Sequence, residues 1–91
     1  MTEKSDAEGT LAAAVRNTER LMEVDPKLAV EQAGEILNAV PDYPPAQLLL
    51  VTGQRHCGNH LMALELINKL LPVQARWAAA HFEYALLLAV L

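Results

Sequence analysis

Aromatic residues make up only 4% of the 91 residues, and β-branched residues are sparse as well. Strands draw on both kinds of side chain, so an all-β fold is excluded at the outset. The single cysteine, Cys57, has no partner for an internal disulfide. It fits a reducing compartment, and a cytoplasmic location is expected. The 7 Lys and Arg residues form no stripe, which argues against a nucleic-acid partner. The four glycines are scattered; Gly53 and Gly58 stand alone and follow no strand, so there is no phosphate-cradling loop. The longest apolar run, 84–91, is far shorter than a membrane span. Residues 1–9 carry Glu3, Asp6 and Glu8 with no apolar stretch, which does not suit a signal peptide.

What the chain has in abundance is alanine and leucine, strong helix formers, within a 53% apolar composition. One small domain is expected, and a chain of this length hides only about 60% of its unfolded surface when it folds. The net charge of −4 is concentrated in the first half. Residues 1–9 read as a flexible tail and residues 10–91 as a helical domain.

Five apolar-periodic segments follow the tail. In 11–23, Leu11, Ala14, Val15, Thr18, Leu21 and Met22 share one face, with Arg16, Glu19, Arg20 and Glu23 opposite. Asp25-Pro26 starts a second helix, since Asp can accept from free amides and Pro loses nothing in a first turn. Ala29, Ala33, Ile36, Leu37 and Val40 face inward there, and Pro41 ends it. The third helix is expected over 44–57, with Gly58 as its left-handed terminator and Asn59 capping the fourth. Leu61, Leu64, Ile67, Leu70 and Leu71 form the inward face of the fourth, which ends near Pro72. The fifth is expected to begin near Ala75. Short connections make neighbours antiparallel, so an all-α run of helical hairpins is predicted.

The chain resembles itself at an offset of 34 residues. Ala12, Ala46 and Ala80 align, as do Ala29 with Ala63, Glu31 with Glu65 and Leu37 with Leu71. The breakers at 24–25 and 58–59 fall in step as well. On these residues, with Pro41 closing a repeat and Ala85 midway along a first helix, the chain resembles the tetratricopeptide repeat family. That resemblance implies a right-handed stack of about two and a half hairpins and a non-catalytic protein-interaction or oligomerisation module. It also implies a concave groove lined by the first helix of each pair: Leu48, Thr52, Arg55 and His56, then Phe82 and Leu86. Val51 departs from the family's small residue, and Ala75 from its closing proline. The strings 41–47 and 76–83 are also similar to the N-terminal repeats of bacterial proteins that carry a sulfotransferase domain. The alternative is therefore an accessory region of a larger enzyme, with no activity in this chain.

No catalytic residue, metal or cofactor is expected. His56, Cys57 and His60 are close in sequence, but the break at Gly58-Asn59 separates the two histidines, and adjacent side chains on a helix diverge. Helix five stands out because it is apolar nearly all round. One face carries Trp77, Ala80, Tyr84, Leu87, Leu88 and Leu91, and Arg76 and Glu83 mark a narrow polar side. A stacked array needs a polar outer cap, and this helix offers none. Either a further helix covers it or two copies pair through it. A homodimer is expected, with Trp77, Tyr84, Leu87, Leu88, Val90 and Leu91 at the interface.

Overall fold

A computed structural model describes residues 3–91, with side-chain surroundings from Gly9 onward. Every regular element among them is helical: α1 (Glu3–Val24), α2 (Pro26–Ala39), α3 (Pro44–His56), α4 (His60–Leu70) and α5 (Ala78–Val90). α1 begins well before residue 10, where a tail was expected. No proline lies in that stretch, and Gly9 alone costs about 1 kcal/mol, too little to stop a helix. Met1 and Thr2 lie outside the described residues.

The punctuation works as local chemistry requires. The Asp25 carboxylate accepts from the Leu28 amide at 3.2 Å, and Pro26 opens α2. Pro44 and Pro45 open α3. Gly58 has φ +84°, a left-handed conformation that favours glycine. Asn59 occupies the cap position of α4, but its side chain donates to Gln54 Oε1 at 2.8 Å and does not cap the helix. α5 starts at Ala78, later than expected, because backbone turns occupy the stretch after Leu70 and leave Trp77 as the cap residue.

α3 is the centre of the molecule and touches each of the other four helices. α1 packs on α2 and α4 on α5, while α1 and α5 each reach α3 directly. The core that results is dominated by small side chains. Ala29, Ala33, Ala46, Ala63 and Ala80 are all fully buried, joined by Val51, Ile67 and Leu87. Alanines at these crossings let the helix axes come close. Gly53 marks the tightest approach: a Cβ there would lie 2.7 Å from Val30 Cγ2 on α2 and 3.7 Å from Met22 Cε on α1. Leu61, expected to face inward, is 72% exposed. The buried arc of α4 runs through Ala63, Ile67 and Leu70, and helical spacing puts Leu61 on the opposite face.

Two of the helical glycines, Gly34 and Gly53, make a paired test. Gly34 has open space around its Cβ position. Gly34→Ala should raise stability by about 0.5–1 kcal/mol through helix propensity. Gly53→Ala gains the same propensity but must push a stiff β-branched neighbour, so a net loss of about 1 kcal/mol is expected. Thermal or urea unfolding of both variants checks this; equal shifts would contradict the close approach at Gly53.

Candidate interaction surface

The side chains implied for the concave face lie on α3 and α5. Arg55 sits in the last turn of α3, and Glu83 projects from α5 beside it. The guanidinium Nε donates to Glu83 Oε2 at 2.7 Å and Nη2 donates to Oε1 at 3.1 Å. Nη2 also lies 3.5 Å from His56 Nε2. This is a two-pronged charge-assisted pair, the stronger geometry for Arg and a carboxylate. The Arg55 side chain is 22% exposed and that of Glu83 only 9%. Water therefore screens the pair poorly, and either charge left alone would be costly. Glu83 was expected on a solvent-facing polar side of α5; its position is corrected to the α3–α5 seam.

The pair changes what the concave face can bind. Arg55 is the one cation among the groove residues implied by the family resemblance, and Glu83 already engages it. An incoming carboxylate would have to displace a bidentate internal partner. Of the other groove residues, Leu48, Thr52 and Leu86 are half-buried, while His56 and Phe82 are exposed. Thr18, on the corresponding face of α1, is fully buried and donates its hydroxyl to the Ala14 carbonyl at 2.8 Å. His81 donates through Nε2 to the Ala75 carbonyl, which ties α5 to the turn before it.

The residues expected at an interface divide in two. Leu87 is fully buried in the core, and Trp77 and Tyr84 are half-buried against the same cluster. These three hold α5 onto the body of the protein and are not part of an open surface. The other three remain open: Leu88 is 52% exposed, Val90 56% and Leu91 57%. Phe82 on α5 is also exposed, at 64%. Leu91 also lines a shallow depression with Leu61 and Met62 of α4, so the apolar exposure continues from one helix to the other.

A cavity of about 280 Å³ lies elsewhere, between the α2–α3 corner and the end of α4. Leu37, Pro44, Leu50, Leu66 and Leu70 line it, with Lys69 and Asp42 also on its wall. Among the described residues no three of His, Cys, Asp and Glu gather as metal ligands, and Cys57 is half-buried.

Glu83 is one of the residues that sequence reasoning misplaced. A signal for it existed. One repeat earlier the same position holds Leu49, which is half-buried. A carboxylate where the repeat places a leucine needs a partner, and Arg55 was the cation nearest in the stack.

The pair predicts a specific non-additivity. Arg55→Met strands the Glu83 carboxylate and should cost about 2 kcal/mol, a buried-pair figure discounted for partial exposure. Adding Glu83→Leu should recover most of that loss, because an apolar pair of similar size fills the seam. Chemical denaturation of the two variants measures it, and a double variant less stable than Arg55→Met alone would contradict the assignment. Compared with family models, curated proteins and solved structures, the chain has no match in any of the three.

Proposed function

We propose that this chain is a non-catalytic protein-interaction or oligomerisation module, built from tetratricopeptide-like hairpins, that docks through the open side of α5. The observation that carries the reading is the exposure of Phe82, Leu88 and Val90 on α5 and of Leu91 just past its end, with Leu61 and Met62 of α4 beside Leu91. Single exposed apolar residues are ordinary, whereas six on and beside two packed helices, α4 and α5, amount to an apolar exposure of the kind that marks a contact surface. The direct contacts of α1 and α5 with α3 support the stacked-hairpin architecture. The engagement of Arg55 by Glu83 supports a docking surface at the α5 end over a carboxylate-reading groove.

The reading is tested by light scattering across a dilution series, with an apolar dye added to each sample. Association at high concentration, or dye binding by the dilute chain, is expected. Leu88→Glu together with Val90→Lys should reduce both while leaving helix content intact, since both positions are exposed. A monomer at every concentration that binds no dye would overturn the reading.

A further inference from the structure

The cavity at the α2–α3 corner is built from elements that local chemistry holds in place. Pro41 and Pro44 flank Asp42 and Tyr43, and each proline locks its own φ. The Tyr43 amide donates to the Val40 carbonyl at 3.2 Å, which closes the turn and fixes where Asp42 stands. On α4, Lys69 and Leu70 lie three and four residues after Leu66, so all three share a face, and all three line the cavity. Leu37 near the end of α2 and Leu50 of α3 complete the apolar lining. Beyond α4 the Gln74 amide donates back to the Leu70 carbonyl at 2.9 Å, which brings Gln74 to the same wall.

Two opposite charges stand on this wall, Asp42 and Lys69. Among the described residues the ion pair is that of Arg55 with Glu83, so Asp42 and Lys69 pair neither with each other nor with another side chain. A leucine-lined cavity with one uncommitted anion and one uncommitted cation matches a ligand of the same design. Such a ligand carries a positive and a negative group close together on an apolar body. Size limits it further. Liquid water takes about 30 Å³ per molecule, so a cavity of about 280 Å³ holds about nine non-hydrogen atoms.

We propose that this cavity binds a free α-amino acid with an aliphatic side chain, of the size of leucine or methionine. Its carboxylate meets the Lys69 ammonium, its ammonium meets the Asp42 carboxylate, and its side chain lies among Leu37, Leu50, Leu66 and Leu70. A fatty acid would place its only charge on a wall that also carries Asp42, and a simple amine would meet Lys69. An internal peptide segment lacks the paired charges. No residue of α5 lines the cavity, so the site is independent of the docking surface proposed above. Its volume falls near the lower end of the about 300–1,000 Å³ of small-molecule pockets. Asp42 and Lys69 are also exposed, and water screens both. The affinity is accordingly modest, with a Kd on the order of 1 mM.

Titration of the isotope-labelled chain with L-leucine, followed through its amide chemical shifts, tests the site. Saturating shifts are expected at Asp42, Gln47, Lys69 and Gln74, which surround the cavity. Isocaproate keeps the body and the carboxylate but lacks the ammonium; isoamylamine keeps the body and a cation but lacks the carboxylate. Each should bind about ten times more weakly than leucine, having lost one charge-assisted contact. Two variants at exposed positions, which leave the fold intact, separate the two contacts. Asp42→Asn should weaken leucine about tenfold and spare isocaproate, and Lys69→Met should weaken leucine about tenfold and spare isoamylamine. Shifts that do not saturate by about twenty times the expected Kd would overturn the site. Either analogue binding as tightly as leucine, or a variant that weakens all three ligands alike, would overturn the paired recognition of the two charges.

Discussion

The fold depends on helices packing closely through small side chains. Alanine occupies five fully buried positions spread over α2, α3, α4 and α5, and at Gly53 even a methyl group would crowd Val30. Close approach brings many atoms into contact, but each alanine hides little apolar surface. The largest fully buried side chains are only Ile67, Leu87, Val51 and Thr18. A core of this kind is thin for its length. The larger leucines, which would ordinarily thicken it, are distributed toward the edges, and several on α4 and α5 stay in contact with solvent.

That distribution gives α5 two roles. Its inner arc, through Ala80, Glu83 and Leu87, fastens it to α3 and α4. The Arg55–Glu83 pair sits on that seam, where a short bidentate contact sets the height of α5 along α3. Its outer arc has neither charge nor partner within the chain. A groove cation tied up internally and an apolar back together shift the proposed docking site from the concave face to the end of the stack.

Much of this architecture was legible in the residues because local rules acted without competition. Asp25-Pro26, Pro44 and Gly58 each specify a backbone state by their own chemistry, and each does so here. The polar stripe of α1 and the buried alanines of α2 followed from periodicity alone. What periodicity could not supply was three-dimensional partnership. Glu83 looked like a solvent-facing residue because its neighbour Arg55 is 28 positions away. Leu61 looked like core because leucine at helical spacing usually is, yet at 72% exposure it sits on the face of α4 opposite Ala63, Ile67 and Leu70. Trp77 seemed helical because nothing in the sequence shows that the turns after Leu70 run on to it. The surface of α5 was legible as an excess of apolar residues; which arc faced outward was decided by the seam with α3.

The central claim is that the outer arc of α5 is covered by association. Amide hydrogen exchange measured at low and at high protein concentration addresses it directly. If α5 is covered, its amides become more protected as concentration rises, while those of α2, remote from the docking surface, keep the same rates. Protection of α5 that does not change with concentration, in a chain that associates, would place the contact elsewhere and contradict the account.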